Sequence, residues 1–540
     1  MANTITVGLS ALVAAQAGIS VTGKNIANAA SPGYSRERII QTEDAVLGEG
    51  TKISDIQRIY DQFLAGQKIS AQSSYSHLQA QYDKIQQINN MLSDSSIGLS
   101  SYIQDFFDSL QEVSVAPSDT PSRQLFLSNI DALVSNFNQF QSFVDGIGSD
   151  VNQQIASSVD DINNIAKQIA SLNGSIASVQ QTSNGTMANE LLDKRDNLIA
   201  ELSKNVQVRV ATDGNIMNIF IGNGQSLVVG TSFNKLDVIP SKSNTANVDV
   251  AFDFNGKKAP IAANQLTGGI LGGLIEFRSK NLTLAQSSIG RIALGLASGM
   301  NKINHEGFTL NGTQGGDLFN LPKLSVIANA DNSGTSIKVD YSDIAKLTTS
   351  DYSLKKLSGK YNLIRTSDNV LLSSESKDSL QAAANLEGLS FDINSLEKMQ
   401  DGDQFLIRPT ANIAGVLSVA ILNINDIAAA SKSGLVGDNS NVLKMIALQT
   451  DKTLNNGSLS FQNAYAKMVS DIGAKTRELA LTSVSANSML TQASTALDSV
   501  AGVNLDEESA NLLRYQQAYQ AAGKLIEISK VLFDTLIQLG

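Results

Sequence analysis

Two apolar stripes, one near each end of the chain, constrain the fold more than any other feature. Near the start, Ile5, Leu12, Ile19 and Ile26 recur at seven-residue intervals, and Leu9 joins them to give the alternating spacing of a heptad seam. Near the end, Leu505, Leu512, Tyr519, Ile526 and Phe533 keep the same interval, with Tyr515, Ala522 and Leu536 in a companion seam. Each stripe predicts a long helix with a narrow apolar face. Burying a Leu or Ile contributes about 1.5–3 kcal/mol, whereas ordering one residue's backbone costs about 1–2 kcal/mol. A lone helix with five such anchors is therefore marginal in water. Spacing leaves two readings open. The ends close a bundle within the chain, or they fold by assembling with each other and with neighbouring copies.

The first stripe stops at Ser31-Pro32-Gly33-Tyr34, which places Pro and Gly at the central positions of a type II turn. The last helix starts at Asn504, and Asn504 with Glu507 resembles a capping box. Glu507 and Glu508 then read as charges suited to the helix start. Between the ends, helical periodicity covers residues 4–30, 69–112 with a break near Ser93–Gly98, 122–180, 188–205, 272–307, 440–500 and 505–538. Alternating apolar and polar residues with glycine turns predict strands over 206–267 and again over 320–425. The fold class expected is mainly α with inserted β-rich domains, a multi-domain α+β chain. Residues 1–35 with 504–540 form a terminal coiled coil, and 36–205 with 272–310 and 430–503 form a helical trunk. Residues 206–271 are a β-rich segment and 311–429 an inserted outer β-rich domain.

Composition narrows the function. The 540 residues are 42% hydrophobic and 17% charged, enough to bury real cores. Net charge is −11 with no run of Lys or Arg, which argues against nucleic acid as a partner. The absence of cysteine excludes disulfides and thiolate ligands. No basic segment precedes an apolar block at the start, so no Sec signal is expected. No apolar stretch is expected to reach the roughly 20 residues of a membrane span.

Signals of catalysis are weak. The two histidines, His77 and His305, lack a metalloprotease pattern, and His77 is expected to face solvent. The glycine-rich stretches have neither a phosphate-loop lysine nor a strand-to-helix fingerprint, and Gly290, Gly295 and Gly299 suit close packing. No catalytic, cofactor-binding or metal residue is assigned.

The stretch SALVAAQAGISVTGKNIANAASPGYSRER, with Asn25, Asn28, Pro32, Gly33 and Tyr34 in its NIAN and SPGY elements, closely resembles the N-terminal signature of the bacterial flagellar rod, hook and hook-associated axial family. The stretch DEESANLLRYQQAYQAAGKLIEISKVLFDTLIQL resembles that family's C-terminal signature. Internal stretches, among them ANELLDKRDNLIAELS and GGLIEFRSKNLTLAQSSIGRIALGLASGMNKINHEGF, are similar to its hook–filament junction branch. The resemblance covers nearly the whole chain and is weakest over 325–400. It implies a non-enzymatic structural adaptor, exported without a Sec signal by the flagellar type III route and located outside the cell in the flagellum. The partners implied are a homo-oligomeric ring of the chain itself, the hook protein, a second junction protein and a flagellar export chaperone, with no membrane insertion. The assembly interface would use the stripe and motif residues named above, and the chaperone would use Leu512, Tyr519, Ile526 and Phe533. The alternatives are another axial protein, such as the hook or second junction protein, and a secreted surface-binding protein.

Overall fold

The computed structural model describes residues 2–43, 50–94, 98–182, 186–214 and 216–539. Helix α1 (Ala2–Ala27) ends where the Asn28 side chain donates to the Lys24 carbonyl at 2.9 Å. The next element was not legible in the sequence. Residues 36–60, expected within the helical trunk, contain an antiparallel hairpin of β1 (Glu37–Glu43) and β2 (Thr51–Arg58), with a register shift between Ile40 and Gln41. Most of its side chains are at least partly exposed on both faces, so it lacks the alternation that marks a half-buried strand.

The trunk begins with α2 (Gln62–Ser93) and α3 (Leu99–Val115). Residues 95–97 of the expected break lie outside the described residues. Asp61 caps α2, its side chain accepting from the Phe63 and Leu64 amides at 2.9 and 3.0 Å. Helices α4 (Thr120–Thr182) and α5 (Thr186–Asn205) follow. A second helical block, α6 (Gly269–Glu276), a π turn (Phe277–Leu282) and α7 (Thr283–Glu306), runs through the interior. Phe106, Phe126 and Phe137 have no solvent exposure, and Phe106 meets Phe107 edge-on at 5.1 Å. The glycines of α7 pack closely, as their spacing suggests. A Cβ at Gly290 would overlap the Thr410 carbonyl, and one at Gly295 would strike Leu454.

Two β-rich regions are inserted into this scaffold. In the first, β3 (Val208–Asp213), β4 (Ile216–Ile221), β5 (Gln225–Val229) and β6 (Ser232–Phe233) form one meander. A second meander contains β7 (Lys235–Pro240), β8 (Val248–Phe254) and β9 (Lys257–Pro260). Asparagines of α4 satisfy strand groups that neighbouring strands leave open. Asn163 exchanges two bonds with Leu236, and Asn173 donates to the Met217 and Gly230 carbonyls.

The outer region contains β10 (Phe319–Asn320), β11 (Ser325–Ala328), β12 (Val339–Tyr341), β13 (Tyr352–Leu357), β14 (Lys360–Arg365), β15 (Val370–Glu375), β16 (Leu389–Phe391), β17 (Gln404–Arg408) and β18 (Ser418–Val419). Its main sheet has the order β11-β17-β13-β14-β15, with α8 (Lys377–Leu386) and α9 (Ile393–Glu397) beside it. The chain re-enters the trunk through α10 (Ile413–Val416) and α11 (Ser440–Ala447). A loop with Asn455 and Asn456 at positive φ then interrupts the helical run expected over 440–500. Helix α12 (Phe461–Ala501) returns antiparallel to α2, with Ser483 donating to Gln79 at 2.7 Å, and α13 (Leu505–Leu539) ends the fold.

Two sequence expectations fail here. His77 does not face solvent freely. Its Nε2 lies 2.9 Å from Glu276 and its side chain is largely covered, because α2 packs against α6 at that turn. The segment Thr4–Ala27 is, by length and composition, long and apolar enough to cross a membrane. Its Ser, Thr and Gln weigh little against so many Ala, Val, Ile and Leu, and Lys24 is its one charged residue.

A polar hub and an open helical hairpin at the chain termini

Helices α1 and α13 pair as an antiparallel hairpin. Gly8 lies against Ile526, Gly18 against the Tyr515 ring, and Asn25 against Glu508. The intrachain seam therefore differs from the stripe that apolar spacing selects. On α1 it is built from Gly8, Ala15, Gly18, Thr22 and Asn25, all buried. On α13 the buried positions are Glu508, Ala522 and Ser529, with Tyr515 half-buried between them. Small residues let the two backbones approach, and the larger apolar side chains are left to the flanks.

Leu9 is 53% exposed, Leu505 52% and Phe533 49%, while Ile5 and Tyr519 are also exposed. Leu12, Ile19, Ile26, Leu512 and Ile526 are half-buried. The side chain of Leu536 lies outside the described residues. Of the companion seam, Ala522 and Tyr515 do face the partner helix.

The signature residues converge on Asn25, which is 1% exposed. Its Nδ2 donates to the Glu37 carbonyl at 2.9 Å and to Glu508 Oε2 at 3.1 Å. Its Oδ1 accepts from the Glu37 amide at 3.0 Å and from the Tyr34 hydroxyl at 2.8 Å. One amide thus uses both donors and both acceptor positions to join α1, the start of β1 and α13. Burial, reinforced by the charge of Glu37, pushes the Tyr34 phenol well above its ordinary range and keeps it a donor.

Pro32 and Gly33 act through the backbone. The Tyr34 amide donates to the Ser31 carbonyl at 3.2 Å and Gly33 has φ +73°, which completes the type II turn. The positive φ is what calls for glycine here; a Cβ would also press on the end of the exposed Asn197 side chain, which would have to turn aside. Pro32 and Gly33 are exposed, whereas Asn28 is half-buried and holds the end of α1.

Sequence reasoning missed the charged half of the hub. Arg36 Nε donates to Glu508 at 2.7 Å and its terminal nitrogen to Glu507 at 2.6 Å. Burial opposes the Arg36 charge, but the hydrogen bonds and charges of Glu507 and Glu508 more than offset it and raise its pKa. Glu508 lies in the first turn of α13, as expected, and is in addition a buried tether. Asn504 does cap α13, accepting from the Asp506 amide at 3.0 Å, but Glu507 turns to Arg36 and leaves the capping box half made. Lys24 bridges Glu37 and Glu190 at 3.2 and 3.1 Å, and Arg58 bridges Asp193 and Asp196 at 2.9 and 2.6 Å. The available signal was Arg36 and Glu37 directly after the turn, facing an acidic pair at the other end of the chain.

A cleft of about 790 Å³ lies between the Ser31–Ser35 turn, α2, α5 and the end of α12. Among the described residues, no group of three His, Asp or Glu side chains is placed to hold a metal ion.

Comparison with known proteins agrees with this architecture. Residues 85–319 match the model of the flagellar hook-associated protein FlgK helical domain. Residues 327–409 match the flagellar hook-associated protein 1 D2-like domain, and 494–539 the C-terminal model of the flagellar basal body rod FlgEFG proteins. The chain is 33% identical over 550 residues to flagellar hook-associated protein 1 of Escherichia coli K12, covering 100% of both. It is 24% identical to the protein of that name from Bacillus subtilis 168, covering 98% of this chain and 96% of that one. The solved flagellar hook junction protein FlgK from Burkholderia pseudomallei shares the fold with a TM-score of 0.75 at 24% identity, over 81% of this chain and 100% of that one. With its helical trunk, its outer β domain and its paired ends all matched, the chain belongs to the flagellar hook-associated protein 1 family.

Proposed function

We propose that this chain is a structural adaptor that joins the flagellar hook to the filament through assembly of its terminal helices. The observation that carries this reading is the hairpin itself. Its two helices are held together by small residues and a polar hub, while Leu9, Val13, Leu505, Leu513, Tyr519 and Phe533 remain exposed. Large apolar side chains exposed in this way on both helices are stabilised when neighbouring subunits cover them. A ring of copies would bury these faces in an inner tube wall shared with hook and filament-side subunits. The motif residues Asn25, Asn28, Pro32, Gly33 and Tyr34 would fix the angle at which the hairpin leaves the trunk.

The stripe Leu512, Tyr519, Ile526 and Phe533 is in part exposed before assembly, which suits transient cover by an export chaperone. Export by the flagellar type III route would bring the chain to its place outside the cell. Electron microscopy of cells lacking the gene, with an assay for flagellin in the medium, tests the reading. Hooks without filaments and flagellin lost to the medium are expected. Intact filaments would overturn it and favour a surface-binding role for the outer domain.

A further inference from the structure

The outer domain, residues 325–408, meets the rest of the molecule at two kinds of contact. The first is deep. Arg408 of β17 donates to Asp351 at 2.9 Å and to Gln286 of α7 at 3.0 Å, and Gln286 donates in turn to Asp145 of α4 at 2.7 Å. The Arg408 and Asp351 side chains are only 11% and 6% exposed. Beside them Gly290 lies directly under the Thr410 carbonyl, and the Asn456 amide donates to the Ala345 carbonyl at 2.8 Å.

The second contact is superficial. In the β7–β8 loop, Lys242 pairs with Asp331 at 2.7 Å, with the side chains 46% and 67% exposed, and the Ala330 amide donates to the Lys242 carbonyl.

These contacts differ in strength for a physical reason. The Arg408–Asp351 pair lies within the outer domain and moves with it; what crosses the joint is the buried hydrogen bond from the Arg408 guanidinium to Gln286, and breaking it leaves a charged donor and a covered amide oxygen unpaired. An exposed Lys–Asp pair contributes little and weakens as salt screens it. We propose that Arg408 and Gln286 form a pivot and that Lys242–Asp331 is a latch, so that the outer domain swings away from the β7–β9 meander when the latch opens. The outer domain then supplies compliance that the helical trunk lacks. The proposal concerns the single chain and does not rest on the junction role.

The absence of cysteine makes the test direct. Cysteines introduced by Lys257→Cys in β9 and Lys360→Cys in β14, both at exposed positions, carry nitroxide labels in the otherwise complete chain. Electron–electron double resonance then reads the distance distribution between them. Raising NaCl from about 0.1 M to about 1 M shortens the Debye length from about 10 to about 3 Å. The distribution is expected to be narrow at low salt and to broaden at high salt. Adding Lys242→Ala, which removes the ion pair and keeps the Ala330–Lys242 backbone bond, should broaden the distribution at low salt and abolish its response to salt. A distribution indifferent to salt and to Lys242→Ala overturns the latch. So does one that is broad in every condition, and so does a salt response that persists in the Lys242→Ala chain.

Discussion

In the trunk, Phe106, Phe126 and Phe137 are fully enclosed, whereas Leu9, Leu505 and Phe533 of the terminal hairpin stand largely in water. Both regions are built from paired helices. Trunk helices turn their large apolar side chains inward and close a continuous core. In the hairpin, Gly8, Ala15, Gly18 and Ala522 face inward and the large apolar side chains stay outside. Each arrangement satisfies the backbone, but only the first buries enough area to hold itself together. The difference is what the proposed assembly role rests on: the trunk encloses its large apolar side chains, and the hairpin leaves its own exposed.

The comparison breaks most visibly at the hairpin's flank. Replacing the exposed Leu513 and Phe533 together with Asp is expected to abolish incorporation into flagella while the trunk and outer domain stay folded. Motility and circular dichroism read the two halves of that expectation. Normal filaments in the double variant would mean the hairpin face is not the assembly surface. In the trunk, Phe106→Ala should cost about 3–5 kcal/mol in urea unfolding, because the cavity cannot collapse in a closed core.

A smaller effect is expected at the joint between the regions. Asn25→Ala leaves the buried Glu508 carboxylate and the Glu37 backbone without their amide partner, at a cost of about 2 kcal/mol. In dilute wild-type monomer, hydrogen exchange should show protection falling along α1 from Asn25 toward Ile5, and the substitution should erase the protected end. Uniform strong protection of residues 5–26 in the monomer would count against assembly-coupled folding.

The smallest effect lies inside the trunk. The hydrogen bond with His77 lowers the Glu276 carboxyl to about 2, from an ordinary value of 4.5. The unfolded chain therefore binds more protons between these values, so this contribution is present above about 4.5 and is lost as pH falls toward 2. In His77→Ala the acid slope of stability across that window should flatten, which a pH series of urea melts would measure.

The sequence reported much of this molecule directly. Helical and strand periods located the trunk and both β regions, and the Pro32-Gly33 pair specified its turn, because those are local properties of the chain. The hairpin β1–β2 escaped notice because its side chains are only partly buried and its alternation is poor. Heptad spacing identified which ends would pair, and Tyr515, Ala522 and Ile526 do face the partner helix, but it did not single out the small residues that line the intrachain seam. Periodicity weighs side chains by hydrophobicity, whereas close helix approach is decided by their size.

His77 was misread, and the tethering role of Glu508 was missed, for a related reason. Each owes its environment to a partner far along the chain, Glu276 for one and Arg36 with Asn25 for the other. What the sequence by itself determined is most of the elements and the matching narrow apolar stripes of the two ends. Only the tertiary structure decided that small residues would close the hairpin, that one asparagine would anchor it, and that several of its large apolar side chains would be left exposed. Those outcomes depend on which distant groups meet, and local spacing carries no record of that.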